Sequence, residues 1–425
     1  MSGILILGFL VLLVIGVPVA VALGGASLLL VMFEDAQPHL VVVHRMISGV
    51  DSFPLLAIPF FIMAGSLMNS GGITDRIYAF ALALVGWLKG GLGHVNVVGS
   101  VIFAGMSGTA VADAGGLGNI EIKAMRDHGY DVDFAVGITG ASSTIGPIIP
   151  PSLPMVIYGV MANASIGQLF AAGLIPGLVM AASMMGMVAW YAHTRGFHRD
   201  ATFALDRLWY TFRRAILPLM TPVLLIGGMT TGVFTPTEAA IAATVYALIL
   251  GMFVYRTLTW RGLIKVSMET TETTAIVLLI VAGASIFGYL ITITKVTDNV
   301  ADLVLSITSE PWAVLLMVNV FLLIVGCFME TIAAITILVP VLLPLMERIG
   351  VDPVHFGVIM VLNLMIGLLT PPVGMVLYIL ARIADISFER TARACAPFLI
   401  PLVATLGVVT YWPSMVLWLP TMFYR

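Results

Sequence analysis

Glycine and proline cut the apolar segments of this chain at mid-length, and these breaks constrain its fold more than any other feature. They lie near residues 105–118, 146–154 and 367–374. Irregular backbone is tolerated inside a membrane only where it is buried in protein or lines a polar cavity. A membrane setting is indicated because only 10% of the 425 residues are charged and 60% are hydrophobic. Too few charges remain to coat a soluble globule of this length.

Apolar segments recur from one end of the chain to the other, which predicts an all-α integral membrane protein with many crossings. The run over 3–33 is interpreted as a first membrane helix that is retained. The alternative is a cleaved signal peptide with its cleavage site at 20–22, but such peptides begin with a basic region that is missing here. Cys327 and Cys395 lie in apolar segments without metal-binding spacing and are predicted to be buried, unreactive thiols.

One polar connector, over 193–214, gathers basic residues near the middle of the chain. Because basic loops stay on the cytoplasmic side, this connector is predicted to be cytoplasmic. The part over 198–212 is predicted to form an amphipathic helix on the membrane surface. A second basic cluster over 256–265 follows two passes later, and it can therefore lie on the same side.

The two halves flanking this connector resemble each other. Residues 145–151 match 366–372, with the Pro-Pro pairs about 221 residues apart, and weaker matches precede and follow in the same order. We therefore predict a first repeat over 1–195, a connector over 196–212 and a second repeat over 213–425. An odd number of crossings in each half would invert one repeat relative to the other. In inverted-repeat transporters, interrupted helices form a binding site near the midplane.

The first break, over 105–113, contains Ser107 and Thr109 among small residues. Their hydroxyls and the freed backbone carbonyls are hard oxygen ligands that suit an alkali cation. The alternative is that these two residues only cap helix ends. The corresponding break over 326–331 contains Glu330 and Thr331.

The two Pro-Pro breaks supply further backbone oxygens, since proline leaves the carbonyl four residues earlier without its helical partner. Half-helices begin after each break, and their N-termini favour an anionic group. Simple kinks are the alternative interpretation.

Few ionisable residues accompany these breaks. Asp113 and Glu330 stand in apolar surroundings, where acids are usually functional, although both could instead touch water at hairpin tips. Arg382 follows the second Pro-Pro break and could meet an anion or extend to the interface. Asp131, Asp133 and Asp352 follow glycine turns and are predicted to cap helices.

Several functional classes lack their motifs. The sequence contains no GxxxxGK[ST] loop, no HExxH and no GxSxG with suitable partners, so ATP hydrolysis, metalloprotease and lipase activity are not expected. A net charge of -3 and the lack of a basic stripe argue against nucleic-acid binding. No enzymatic activity and no organic cofactor are predicted.

At these motifs the sequence resembles the large membrane subunit of TRAP (tripartite ATP-independent periplasmic) transporters. The resemblance is carried by residues 106–113, 129–135, 144–159, 235–240 and 369–374, and it spans nearly the whole chain. Its most specific stretch reads Gly-Pro-Ile-Ile-Pro-Pro-Ser-x-Pro. One departure is Glu330, where the family more often has aspartate.

The resemblance implies an elevator-type permease of the inner membrane, with a scaffold and a transport domain that contains two re-entrant hairpins. Sodium ions would lie between each hairpin tip and the matching interrupted helix. The candidate Na⁺ ligands are Ser107, Thr109, Ser142, Gly146, Ile149, Gly326, Thr331, Gly367 and Thr370. The candidate substrate-binding residues are Ser107, Thr109, Asp113, Glu330 and Arg382.

The resemblance also implies two protein partners, a small membrane subunit of about four helices and a periplasmic binding protein that delivers an organic acid. C4-dicarboxylates, sialic acids and uronates are all possible cargoes. Two alternatives stay open at this point. One is a stand-alone ion-coupled anion transporter of the same superfamily, and the other is a membrane enzyme or a scaffold for another complex.

Overall fold

A computed structural model describes residues 2–34 and 38–424, and this part of the chain is helical without a β-strand. Eight helical segments are long and apolar enough to cross a membrane, and shorter apolar helices accompany them. The predicted all-α membrane architecture is therefore confirmed.

The helices of the first half range from 9 to 30 residues in length. They are α1 (Ser2–Val14), α2 (Val19–Glu34), α3 (Leu40–Val50), α4 (Ala57–Ser70), α5 (Ile73–Val85), α6 (Gly91–Ser107), α7 (Ala110–Asp127), α8 (Val132–Ser143), α9 (Leu153–Met161) and α10 (Ile166–Arg195).

The second half begins with one long helix. Its helices are α11 (Leu205–Thr230), α12 (Pro236–Ile249), α13 (Trp260–Ile293), α14 (Val296–Ile307), α15 (Pro311–Phe328), α16 (Thr331–Arg348), α17 (Pro353–Gly367), α18 (Met375–Ala384), α19 (Phe388–Cys395), α20 (Leu399–Tyr411) and α21 (Pro413–Phe423). A π-helical turn, Leu250–Val254, extends α12.

The single first helix predicted over 3–33 is wrong, because the structure has two helices, α1 and α2, that pack on each other. Gly16 adopts a positive φ of 89° between them, and Pro18 follows. Glycine takes this backbone conformation without steric cost, and proline cannot continue a helix. The apolar composition runs on across the turn, so hydropathy alone did not reveal it.

The amphipathic helix predicted over 198–212 is also wrong in its bounds. The helix begins at Leu205 and continues without a break into the membrane segment as α11. The preceding loop is fastened by Asp200, which accepts hydrogen bonds from the Tyr130 hydroxyl (2.5 Å) and the Leu92 backbone N–H (2.9 Å). Burial raises the pKa of Tyr130, so its phenol keeps the proton that it donates.

The two halves contribute matching parts. In each, a helical hairpin (α6–α7 or α15–α16) is followed by an interrupted helix (α8–α9 or α17–α18). The second arm of the first hairpin, α7, packs against α18, and the second arm of the other hairpin, α16, packs against α9. Each half therefore forms part of the wall around the other half's break. The domain boundaries and the inverted orientation stay predictions.

A long helix, α13, supports this arrangement from one side. It packs against α2, α3 and α4 and also touches α16. Its 34 residues make it the longest helix in the described part of the chain, and at about 1.5 Å per residue it exceeds the hydrocarbon thickness of a bilayer. Of the hairpin arms, α16 thus lies directly against this continuous helix.

Candidate ion and substrate sites

The first hairpin turns over two residues between α6 and α7. Gly108 takes a positive φ of 62°, which glycine tolerates best. Thr109 then caps α7, since its hydroxyl accepts a hydrogen bond from the Ala112 backbone N–H at 3.2 Å. The capping role considered for Thr109 is therefore present. Ser107 ends α6, and its side chain lies outside the described part of the structure.

The first interrupted helix stops at the end of α8 and resumes as α9 after the cis Pro150-Pro151 bond. Ser152 caps α9, accepting from the Met155 backbone N–H at 3.2 Å and donating to the Pro147 carbonyl. The Leu153 backbone N–H donates to the Gly108 carbonyl at 3.3 Å. This bond joins the hairpin tip to the start of the half-helix.

Gly146 lies where these two parts meet, and oxygen atoms surround the space beside it. A methyl group on Gly146 would lie 3.4 Å from the Ser143 carbonyl oxygen, 3.7 Å from the Thr109 carbonyl oxygen and 3.9 Å from Asp113 Oδ2. Asp113 is 2% exposed, and its Oδ2 has no hydrogen-bond partner among the described residues. Two carbonyl oxygens and an unpartnered carboxylate oxygen fit a hard monovalent cation. We call this space the Gly146 cradle.

A second buried carboxylate, which the sequence interpretation missed, lies two turns further along α7. Glu121 is 2% exposed, and its Oε2 accepts a hydrogen bond from Asn96 Nδ2 at 2.8 Å. The same amide donates to the Thr139 hydroxyl at 2.7 Å, and its carbonyl oxygen accepts from the Ser142 hydroxyl at 2.5 Å. The hydroxyl of Ser142 is thus turned toward Asn96. The Ser143 carbonyl, rather than this hydroxyl, lines the Gly146 cradle.

The second hairpin also begins its second arm with a cap. Glu330 Oε2 accepts from the backbone N–H groups of Ile332 (2.9 Å) and Ala333 (3.1 Å). Thr331, the first residue of α16, is buried, and its hydroxyl has no partner among the described residues. The Val373 backbone N–H donates to the Cys327 carbonyl at 3.2 Å. The hairpin tip and the break after α17 are therefore joined, as in the first half.

Two glycines, one from each element, bring the second hairpin and its interrupted helix into backbone contact. A methyl group on Gly367 would lie 2.5 Å from the Gly326 carbonyl carbon, so this position leaves no room for a side chain, and a methyl group on Gly326 would be close to the Gly367 Cα at 3.3 Å. Thr370 donates its hydroxyl to the Ile366 carbonyl at 2.9 Å. Gly326, Gly367 and Thr370 thus come together around a tight contact, without a carboxylate cradle like that at Gly146.

An amide bridge also links hairpin and interrupted helix in the second half. Asn363 Nδ2 donates to Asn319 Oδ1 at 2.7 Å, and Asn319 Nδ2 donates to the Thr410 hydroxyl at 3.1 Å. Asn319 follows Asn96 by 223 residues and Asn363 follows Ser142 by 221, close to the spacing of the Pro-Pro pairs. This spacing was the sequence signal that could have revealed both bridges.

Two further predicted residues, Ile149 and Arg382, have other surroundings. The side chain of Ile149 packs against Gly177 of α10. Arg382 is exposed in the last turn of α18, and no hydrogen bond from it to either tip is present in the described part of the chain. Both predictions of ligand contact stay predictions.

The capping predictions are confirmed for Asp131, which accepts from the Asp133 backbone N–H, and for Asp352, which accepts from Val354 and His355. For Asp133 the prediction is wrong, because this residue lies inside the first turn of α8 and pairs with Arg390 at 2.7 Å. Of the two cysteines, Cys395 is buried as predicted, whereas Cys327 is only partly buried.

Exposure differs between the two breaks. The turns and helix starts of the first are largely buried, with Val111 40% exposed at the tip. Around the second, Phe328 is 61% and Tyr378 54% exposed, and Pro371 and Pro372 are exposed as well. The second break is thus the less buried of the two within this chain.

Comparison with known proteins places this geometry in a family. Residues 6–415 match the model of the tripartite ATP-independent periplasmic transporter, DctM component. One relative is the sialic acid TRAP transporter large permease protein SiaM of Vibrio cholerae serotype O1. The two sequences are 46% identical, and the match covers 98% of this chain and 98% of the relative. A second relative is the isethionate TRAP transporter permease protein DctMQ of Oleidesulfovibrio alaskensis. It is 41% identical to this chain, and the match covers 96% of this chain and 64% of the relative.

A solved structure shares the fold. The YdaH transporter of Alcanivorax borkumensis superposes with a TM-score of 0.62, covering 90% of this chain and 88% of that one, at 13% sequence identity.

Proposed function

The chain belongs to the DctM component family of tripartite ATP-independent periplasmic transporters, and we propose that it imports an organic anion together with Na⁺. Family membership makes it a multi-pass permease subunit of the inner membrane rather than an enzyme. The coupling ion, the cargo and the roles of individual residues are the proposal.

The Gly146 cradle is the observation that carries the proposal. A buried carboxylate costs several kcal/mol unless a cation or a set of donors compensates it. Asp113 Oδ2 has no such donor among the described residues and faces the Thr109 and Ser143 carbonyls across the space beside Gly146. Na⁺ bound there would supply the missing positive charge. Thr109, Gly146 and Asp113 therefore act at the ion, and Asp113 is not required to touch the substrate.

The second ion would lie at the other tip, where oxygen ligands are neutral apart from Glu330. Thr331 offers a buried hydroxyl without a partner among the described residues, and Gly326, which contacts the Gly367 backbone, belongs to the same hairpin. Since Glu330 Oε2 already serves two backbone N–H groups, its second oxygen is the one left for an ion or a substrate hydroxyl.

The substrate would bind between the two tips, close to the exposed second break. The half-helix α18 begins there, and the positive end of its dipole favours an anionic group. Arg382 lies two turns along the same helix, where it could meet the distal part of a larger acid. The named cargoes of the two relatives, sialic acid and isethionate, are both organic anions. A carboxylate of the sialic acid kind is the first choice, given the 46% identity.

Two partners complete the proposed transporter. About a third of the relative named DctMQ lies outside the part that this chain matches. A separate small membrane subunit is proposed to supply that additional part here, and a periplasmic binding protein to deliver the anion. The packing of α7 on α18 and of α9 on α16 supports an elevator mechanism, because it joins both sites into one unit that could move against α13.

The test is uptake by proteoliposomes that contain the chain and both partners. Thermal-shift screening of the cognate binding protein first identifies the acid. We expect uptake to require an inward Na⁺ gradient, and to stop when K⁺ replaces Na⁺ at equal osmolarity. Equal uptake in Na⁺ and K⁺ would contradict the coupling. Full uptake without the binding protein would instead favour a stand-alone anion transporter.

A further inference from the structure

A cavity of about 440 Å³ opens at one end of the helices that carry the first break. It lies where the start of α8, the end of α10 and α19 meet, away from both hairpin tips. Three guanidinium groups and two carboxylates form its rim, from Arg195, Arg390, Arg393, Asp131 and Asp133. We call this space the rim cavity.

The three arginines and two aspartates of the rim cavity leave a net positive charge. Asp131 pairs with Arg195 at 3.2 Å and Asp133 with Arg390 at 2.7 Å. Arg393 forms no ion pair with any described residue, and its Nε donates only to the Glu389 carbonyl at 3.3 Å. The terminal guanidinium nitrogens of Arg390 and Arg393 make no hydrogen bond within the described chain. A net positive charge with free N–H groups suits an anion with two or more oxygens, since guanidinium binds these bidentately.

The floor of the rim cavity is aromatic. Tyr191 and Phe398 stack with ring centroids 5.4 Å apart, and Phe134 meets Tyr191 edge-on. The Arg195 guanidinium lies 4.7 Å above the Tyr191 ring. A ligand that combines an anionic head with an apolar part would satisfy both surfaces.

The depth of the rim cavity in the bilayer indicates which pool of molecules could supply such a ligand. Trp190, next to Tyr191 on α10, is 57% exposed on the outer surface. Tryptophan collects at the headgroup level, and the basic connector that follows Arg195 marks the cytoplasmic side. The cavity is therefore at the depth of the lipid headgroups in the cytoplasmic leaflet.

We propose that the rim cavity binds the phosphate of an anionic phospholipid headgroup from this leaflet. The phosphate oxygens bind Arg390 and Arg393, and the glycerol and first methylenes lie on the partly exposed Pro397. A bound headgroup links α8, α10 and α19. It thereby braces the cytoplasmic end of the helix that forms the Gly146 cradle. The same phosphate chemistry could come from a soluble phosphate ester, and the experiment separates the two sources.

Native mass spectrometry of the delipidated full chain, titrated with dioleoylphosphatidylglycerol, tests the proposal. Losing charge-assisted hydrogen bonds in R393Q should weaken apparent binding about tenfold, while phosphatidylcholine shows no dependence on Arg393. R393Q leaves both ion pairs of the cavity intact. The matched control is R348Q, which removes another partly exposed arginine, one paired with Asp298 and Asp302 away from this cavity. It should leave phosphatidylglycerol binding unchanged.

Glycerol 1-phosphate gives the second arm. If it binds as tightly as the lipid and with the same loss in R393Q, the phosphate site stands and its ligand is soluble. If R393Q proves poorly folded, R393K keeps the charge without the planar fork and should lose part of the affinity. Equal phosphatidylglycerol binding by the wild type, R393Q and the R390Q/R393Q double variant would overturn the proposal.

Discussion

The two halves of the chain join hairpin to interrupted helix through the same kind of amide bridge, but they differ in charge. Asn96 meets Ser142 in the first half, and Asn319 meets Asn363 in the second. Around the first bridge lie two buried carboxylates, Asp113 and Glu121. At the corresponding positions, 221 residues later, the second half has Ala334 and Leu342.

Two halves with the same framework of helices therefore need not form equivalent sites. The bridge and the tip contacts are structural and have been kept in both halves. The charge that a cation needs is concentrated in the first half. The second half has instead a glycine contact, a buried hydroxyl and a capping carboxylate. For the two proposed Na⁺ sites, we therefore expect tighter cation binding at the first, where a buried carboxylate lines the space.

The largest effect is expected from Asp113→Asn, which keeps the shape of the side chain and removes its charge. Loss of the Asp113 charge at the Gly146 cradle should raise the Na⁺ concentration for half-maximal uptake about 100-fold. Uptake rates measured against Na⁺ concentration in proteoliposomes give this value. A shift below threefold, with normal expression, would remove Asp113 from the ion site.

Alanine at the two break glycines should separate ion binding from packing. Gly146→Ala meets its neighbours at ordinary distances of 3.4–3.9 Å, so it should fold normally and fill the cradle, weakening apparent Na⁺ affinity about 30-fold. Gly367→Ala would press on the Gly326 backbone and should lower the melting temperature instead. Thermal unfolding in detergent, with and without Na⁺, checks both. The comparison fails if the two variants lose stability equally.

Substitutions at the two amide bridges should differ in their effect on stability, by less than the changes described above. Asn96→Leu leaves Glu121 without its donor and should cost about 3 kcal/mol, whereas Asn319→Leu removes a partner only from neutral groups, the Asn363 amide and the Thr410 hydroxyl, at about 1–2 kcal/mol. Relative melting temperatures give the order. The Asn96→Leu/Glu121→Leu double variant, which copies the leucine of the second half, should recover much of the loss. A double variant no better than the single one would contradict the pairing.

The smallest effect is expected from Glu330→Gln. The amide oxygen can still accept the two backbone N–H groups that Glu330 holds, so the cap should survive with uptake reduced about threefold. Glu330→Ala removes the cap and should cost a further ~1 kcal/mol of stability. An effect of Glu330→Gln as large as that of Asp113→Asn would mean that the two carboxylates are equivalent after all.

Those features of the fold that depend on local backbone chemistry could be predicted from the sequence. The Pro-Pro pairs interrupt helices wherever they occur, so the two breaks and the repeat spacing followed directly. The sequence predicted a break over 105–118, but the observed break comprises only Gly108 and Thr109, because α7 continues through the glycines that follow. There the packing of α7 against α6 and α8 outweighs the low helix propensity of glycine.

Glu121 shows what could not be predicted. It lies in α7 close to Lys123, Arg126 and Asp127, so the local sequence resembles a solvated helix face. Only the packing of α6 and α8 around α7 places this one acid inside, next to Asn96. Such burial depends on contacts between residues far apart in the chain, which a single sequence does not disclose. The Gly146 cradle could be predicted only in part for the same reason, since Asp113 and the Ser143 carbonyl come together there only in the folded chain.

The packing of α7 on α18 and of α9 on α16 has a consequence for the ancestry of the chain. A primitive polypeptide with one hairpin and one interrupted helix would have had an open wall on each site. It would have closed them only by associating with a second copy of itself. Joining two copies in one gene would make that association permanent and free each copy to diverge. The acids that distinguish one half from the other are then expected to have accumulated after such a fusion.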